Sequence, residues 1–181
     1  MTLQDVPILV GVTGGIAAYK AAALVSRLVA EGARVSVVMT KAATKLVAPQ
    51  TFYALSGNPV YTSLWNNPES PYPHISLSRE TRLFCVAPAS ADIIAKAAHG
   101  IADDAVSASI LAFDGPVLMA PAMNSVMWSK PATQRNVAQL KADGGFHFVG
   151  PEEGHLACGE EGPGRMSEPD EILRAILEIL E

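Results

Sequence analysis

The chain is 181 residues long, 49% apolar and 6% aromatic, with 13 Lys and Arg against 18 Asp and Glu for a net charge of −5. That length suits one domain over residues 1–181, the apolar fraction excludes intrinsic disorder, and the lack of a basic cluster sets nucleic acid aside as a partner. Two cysteines are too few for a disulfide scaffold, a single charge (Asp5) among the first nineteen residues makes a poor secretory leader, and no run reaches the roughly 18–20 apolar residues of a membrane span, so a cytoplasmic protein with no membrane partner is expected.

Residues 7–13 (PILVGVT) are apolar and β-branched and run straight into Gly14 and Gly15, the pattern of a buried strand entering a tight turn. Residues 16–31 follow as a helix. Ala17, Ala21, Leu24, Val25 and Leu28 form one stripe, Lys20, Arg27 and Glu31 lie off it, and Gly32 ends it. A second strand over 33–40 completes a βαβ unit, hence a parallel, right-handed crossover. The pattern repeats with a helix over 44–55, a strand over 83–87 stopped by Pro88, and a helix over 90–98 capped by Ser90. A helix over 104–113, a strand over 116–120 stopped by Pro121, and a helix over 129–143 capped by Ser129 come next. A fifth strand over 146–149, in which His147 reads as packing, leads to a closing helix over 169–180 capped by Ser167. The fold class is therefore α/β: three layers around a parallel sheet, Rossmann-like/flavodoxin-like. Two stretches fit no element: 58–82, with four prolines and His74, and 150–168, with five glycines and Cys158. Loops of that length in a compact domain are usually functional or disordered.

In a parallel sheet the strand ends point to one edge, and ligands bind there. Here those ends carry Thr13-Gly14-Gly15, Thr40, Pro88-Ala89-Ser90 and Pro121-Ala122-Met123-Asn124, which predicts that the four segments converge. A Gly-Gly turn before a helix lets a backbone approach an anion, although glycine also serves such turns structurally. The turn lacks the Walker signature. The second strand ends in Thr40-Lys41, with no acidic group for a ribose diol, which favours a mononucleotide over a dinucleotide. Ser90 either adds a hydroxyl to the same phosphate or is a plain cap. Asn124 either holds a carboxylate through its NH2 or closes an Asx-turn. Met123, Met127 and Trp128 read as core filler. His74 is a base or acid if the prolines before it hold it in place, and otherwise a surface histidine. Cys158 is either a proton donor carried over the site by a glycine-rich segment or an exposed thiol of no consequence. Cys85, inside a strand, reads as a small core residue, and no metal-ligand spacing is present.

Taken together, GVTGGIAAYK (11–20), His74-Ile75, APASAD (87–92), PAMNSVMW (121–128) and ACGEEGPGRM (157–166) resemble the homo-oligomeric flavin-containing cysteine decarboxylases, and within them the branch acting on 4'-phosphopantothenoylcysteine in coenzyme A synthesis. The resemblance spans nearly the whole chain. It implies a flavoprotein with FMN bound by Gly14, Gly15, Ile16, Thr40, Ser90, Ala91 and Ala122. It implies His74 as the base near the flavin, Asn124 on the substrate carboxylate, Met123 and Ala157 against the substrate, and Cys158 as proton donor. It also implies a homotrimer, or a higher assembly of trimers, with FMN between subunits. Many relatives carry a further ligase domain that joins cysteine to phosphopantothenate. This chain ends after its last helix, so that ligase is expected as a separate partner or as a domain removed. Asp92-Ile93 stands where many relatives have Asn-Thr, which leaves a flavin contact by Asp92 open. The alternatives are a peptidyl-cysteine decarboxylase of lantibiotic maturation and a non-catalytic flavin-binding regulator.

Overall fold

The computed structural model describes residues 2–65 and 73–181, apart from the Pro73 side chain. In chain order the elements are β1 (Pro7–Val12), α1 (Ala18–Ala30), β2 (Arg34–Met39), α2 (Pro49–Ser56), β3 (Val60–Tyr61), α3 (Pro73–Glu80), β4 (Leu83–Ala89), α4 (Ala91–Ala98), α5 (Ala105–Ala112), β5 (Val117–Pro121), α6 (Ser125–Ser129), α7 (Pro131–Asp143), β6 (Phe146–Phe148), β7 (Glu152–His155), β8 (Glu161–Arg165) and α8 (Pro169–Leu180). Strands β1 to β6 make one parallel sheet in the order β3-β2-β1-β4-β5-β6. The order reverses between β1 and β4, and that switch point is where an open α/β sheet leaves a crevice.

Both faces of the sheet are covered, which is why its strands are continuously apolar. The pleat sends Ile8, Val10 and Val12 to one side, against Leu24 and Leu28 of α1, Phe52 of α2 and Ile172 of α8. Leu9 points the other way with Phe84 and Val86, against Leu77 of α3, Ile93 of α4, Val106 of α5 and Leu140 of α7. The stripe expected on α1 is buried throughout, with Ala17 just before the helix as its N-cap. Burial of each Leu or Val contributes about 1.5–3 kcal/mol.

Several boundaries depart from the sequence expectation. The expected strand over 83–87 continues through Pro88 to Ala89, with a register shift after Val86 that accommodates a residue lacking an N–H. The expected helix over 129–143 is two helices: Lys130 is extended at the junction (ψ 134°) and Pro131 restarts the chain as the first residue of α7. Ser129 is therefore not a cap; its hydroxyl donates back to the carbonyls of Ser125 and Val126. Glu168 caps α8 reciprocally with Glu171, while Ser167 Oγ donates to Glu152 Oε1 (2.9 Å). His147 is exposed rather than packed, because β6 is the sheet's edge.

The two supposed loops also contain structure. The 150–168 stretch folds back as an antiparallel hairpin, β7 with β8. Of the 58–82 stretch, residues 66–72 lie outside the described residues; β3 precedes them and α3 follows, with His74 as the helix's second residue. Among the described residues no helix is long and apolar enough to cross a membrane, and no cluster of three or more His, Cys, Asp or Glu could hold a metal.

Candidate active site

At the switch point one buried hydroxyl ties the two central strands together. Thr13 Oγ1 donates to the Pro88 carbonyl (2.7 Å) and accepts from the Ser90 N–H (3.0 Å). Ser90 Oγ in turn accepts from the Ile93 N–H (3.3 Å), so the plain cap is the role seen for it. The Gly14 turn packs on the segment after β2 so closely that a Cβ would stand 2.5 Å from the Ala42 Cβ. Gly15 borders Pro88 and Ala122, where a side chain would fill the crevice. Ala17, the N-cap of α1, provides no side-chain cap. Among the described residues no acceptor takes the N–H groups of Gly14, Ile16 and Ala17, nor those of Ala91 and Asp92 across the crevice. Two helix starts thus present free donors and positive dipole ends to one space, an arrangement suited to an anion.

That space is a cavity of about 950 Å³. It gathers Gly14, Gly15 and Ile16 from the first turn, Ser90 and Ala91 from α4, Ala122, Met123 and Asn124 after β5, and Ala157 and Cys158 from the hairpin turn. Two predicted residues do not line it. Thr40 sits on the same sheet edge, its N–H bonded to the Val12 carbonyl, but its hydroxyl accepts from the Ala43 N–H (3.2 Å). His74 lies in α3, in the helix layer that α3 shares with α4, half-buried. Its Nδ1 is fully enclosed and has no hydrogen-bond partner among the described residues. Asp92 is exposed and pairs with Lys96 (3.3 Å).

Asn124 is the centre of the polar chemistry. Its Oδ1 accepts from the Val126 N–H (2.8 Å), closing the Asx-turn that starts α6. With the oxygen so engaged, only the NH2 is left for the cavity. Nδ2 donates to Glu160 Oε2 (2.7 Å) and reaches Cys158 Sγ (3.5 Å). Ser125 Oγ donates to the same Glu160 oxygen (3.4 Å). The two readings of Asn124 are therefore compatible: one end of the amide builds the turn and the other faces the site. The hairpin is brought to this point by the Met123 N–H, which donates to the Gly164 carbonyl (3.0 Å).

The two cysteines are unlike. Cys85 is buried in β4, and that burial pushes its thiol up to about 12. Cys158 is exposed at the hairpin turn beside Asn124, so it is the thiol within reach of a ligand. On the far wall Lys20 Nζ donates to Glu168 Oε1 (2.7 Å) and to the Met166 carbonyl (3.3 Å). The hydrogen bond from Lys20 holds the Glu168 carboxyl below the usual carboxylate range, against a smaller opposing effect of burial. Glu160 and the Lys20–Glu168 pair were not singled out from the sequence. The signal for Glu160 was present in Cys158-Gly-Glu-Glu, but only the hairpin turns it towards Asn124.

A family model described as Flavoprotein matches residues 1–181. The chain belongs to the Flavoprotein family. As a member of it, its cofactor is a flavin. The chain is 48% identical over 174 residues to the coenzyme A biosynthesis bifunctional protein CoaBC of Bacillus subtilis (strain 168), a match covering 95% of this chain and 42% of that protein. The chain thus spans less than half the length of the curated relatives it matches. Among solved structures, a cysteine-to-serine mutant of PPC decarboxylase complexed with pantothenoylaminoethenethiol superposes with a TM-score of 0.85 at 31% identity, covering 97% of this chain and 100% of that one. The FMN-dependent cysteine decarboxylase SpaF gives a TM-score of 0.85 at 34% identity, covering 98% and 97%. For the Flavoprotein family the free N–H groups at the starts of α1 and α4 fit a flavin's anionic end, and the Ala122–Met123 segment with Ile16 offers apolar surface to its ring.

Proposed function

We propose that the chain catalyses FMN-dependent decarboxylation of 4'-phosphopantothenoylcysteine to 4'-phosphopantetheine. The observation that carries the proposal is the Asn124 NH2, a pure donor between the exposed Cys158 thiol and the mouth of a cavity floored by two free helix starts. The similarity to CoaBC and to PPC decarboxylase supports the choice of substrate. FMN, rather than a dinucleotide form, is supported by the mononucleotide pattern after β1 and β2 and by SpaF being FMN-dependent.

The free N–H groups of Gly14, Ile16, Ala17, Ala91 and Asp92 would hold the FMN phosphate. Bound FMN supplies a two-electron acceptor that oxidises the substrate thiol and returns the electrons after CO2 has left, so that the reaction is redox-neutral. Asn124 donates to the substrate carboxylate and so fixes the C–C bond to be broken. Cys158, beside that amide, gives a proton to the product carbon after CO2 departs. A neighbour in which cysteine is replaced by serine and an ethenethiol is held is consistent with a thiol serving this late step.

His74 serves as the base, supplied by another copy of the chain. In its own chain it lies in α3 and does not line the cavity, with an enclosed Nδ1 and no partner among the described residues. Ile16 (62% exposed), Tyr19 (63%) and Met127 (48%) leave the cavity mouth apolar and open, as suits a site closed by a second subunit in a trimer. The substrate would come from a phosphopantothenate–cysteine ligase, and both reactions belong in the cytoplasm.

The test is direct. The purified protein should show a flavin visible spectrum and, on addition of 4'-phosphopantothenoylcysteine, release one CO2 per phosphopantetheine formed. A preparation that takes up no FMN when offered it, or a flavin-loaded protein that releases no CO2, refutes the proposal.

A further inference from the structure

Glu160 is a residue of the site that the reaction above does not use, yet it makes the shortest side-chain contact with Asn124 (2.7 Å). Its carboxylate takes one of the two amide hydrogens with which Asn124 would hold the substrate carboxylate, and it takes the Ser125 hydroxyl as well. Asn124 cannot turn over to offer anything else, because Oδ1 is held by the Val126 N–H. The other amide hydrogen is turned to Cys158 Sγ (3.5 Å), so a substrate carboxylate on this NH2 must either displace the thiol or stand against the Glu160 charge. We propose that Glu160 is an internal stand-in for the substrate carboxylate, occupying Asn124 in the free enzyme and yielding it when a carboxylate-bearing ligand binds. This rests on the assignment of Asn124 to the substrate carboxylate.

The turn is built so that Glu160 can leave without unmaking it. The Leu156 N–H donates to the Glu160 carbonyl (2.8 Å), the Gly159 N–H donates to the Leu156 carbonyl (2.9 Å), and the Leu156 side chain is buried. The Glu160 backbone is thus fixed while its side chain is exposed to solvent, so a rotamer change frees Asn124 and leaves Cys158 in place. When CO2 leaves as a neutral molecule the NH2 loses its acceptor and Glu160 returns. The stand-in therefore weakens binding of the carboxylate-bearing substrate and not that of the decarboxylated product.

The experiment titrates the flavin-loaded enzyme calorimetrically with two S-methyl ethers, of 4'-phosphopantothenoylcysteine and of 4'-phosphopantetheine. The pair differs by one carboxylate, and with sulfur blocked neither turns over. In Glu160→Gln and Glu160→Ala the Kd of the carboxylate-bearing ether should fall about 3- to 10-fold, the worth of one exchanged hydrogen bond, most in the alanine variant. The Kd of the other ether should move less than about twofold, as expected for an exposed charge at a distance. Glu161→Gln removes an equal charge one residue along and should shift neither ether by more than about twofold. Weaker binding of the carboxylate ether to the Glu160 variants, equal tightening of both ethers, or the same effect in Glu161→Gln overturns the inference. Wild-type enzyme that binds neither ether sinks the substrate assignment itself; one that binds both without the shift sinks the stand-in alone.

Discussion

The hairpin's attachment at Gly164 can be broken with a single methyl group. Gly164 has φ +141°, where an L-residue costs about 1–3 kcal/mol. A Cβ there would also run into the Met123 carbonyl oxygen, a backbone atom that cannot rotate aside. Met123 lies two residues beyond β5, whose end is buried in the sheet, so the hairpin is the part that must move. Gly164→Ala should therefore lower Tm by about 2–12 °C, taking about 2–4 °C per kcal/mol for a chain of this size. Displacing Cys158 from Asn124 by about 1 Å should lower turnover about 100-fold. Flavin retention should stay near wild type, since the donors on the first turn and α4 lie on the other side of the cavity. Gly57→Ala is the control: it also has positive φ (+70°), but nothing within 4 Å and no part in the site. It should lose stability and keep turnover. The assays are phosphopantetheine formation, bound flavin by absorbance, and thermal melting. Gly164→Ala that melts lower yet keeps more than about a tenth of wild-type turnover refutes the claim that the hairpin must be held at Met123 for chemistry.

Three further outcomes follow from the same geometry. Cys158→Ser should still release CO2 but accumulate the oxidised ene-thiol, and normal yields of phosphopantetheine would remove Cys158 as the proton donor. His74→Asn should fold, keep its flavin and release no CO2, as should Asn124→Ala; co-expressing the two should restore part of the activity, because mixed assemblies contain sites with both residues intact, and no recovery would argue that His74 acts within its own chain. The Glu168 carboxyl is held below its ordinary value of 4.5 by Lys20, so its contribution to stability is complete above that value and is lost as pH falls through the lower, folded one. The Tm difference between wild type and Glu168→Gln should therefore shrink on acidification below about pH 4.5, and a difference constant from about pH 6 to 3 would contradict the pairing.

The βαβ frame was legible because buried parallel strands are apolar on both faces. Runs such as 7–13 and 33–40 stand out when each is followed by a helical stripe and a glycine. From those strands alone the convergence of Gly14, Ser90, Ala122 and Asn124 on one edge followed, since the handedness of the crossover fixes where strand ends lie. Three things were not legible. The β7–β8 hairpin has no apolar alternation, because Gly154, Gly162 and Gly164 all have positive φ, and side chains at Gly162 and Gly164 would meet Ser125 and Met123. The break at Lys130 is invisible to periodicity, since Pro131 is equally at home in the first turn of one longer helix. The place of His74 depends on which face of the sheet α3 covers, and that is decided by Leu77 packing with Leu9 and Phe84 rather than by anything near the histidine.

The site divides into a part that cannot move and a part that can, and the chemistry asks for that division. Thr13, Gly14 and Ser90 are locked by the β1–β4 pairing and by one buried hydroxyl with two partners, so donors at the helix starts are fixed before any ligand arrives, as a preorganised anion site requires. Cys158 and Glu160 instead ride on a two-stranded hairpin outside the main sheet, joined to it at Met123, Asn124, Ser125 and the Ser167–Glu152 bond. A substrate that must be admitted, stripped of a carboxylate and protonated at the vacated carbon meets different groups at successive moments. Asn124 belongs to both parts: its oxygen is fixed in the turn that continues β5, and its nitrogen is bonded to the hairpin. A change in what occupies that nitrogen is thereby a change in what holds the hairpin, which couples departure of the carboxylate to the position of the thiol that acts next.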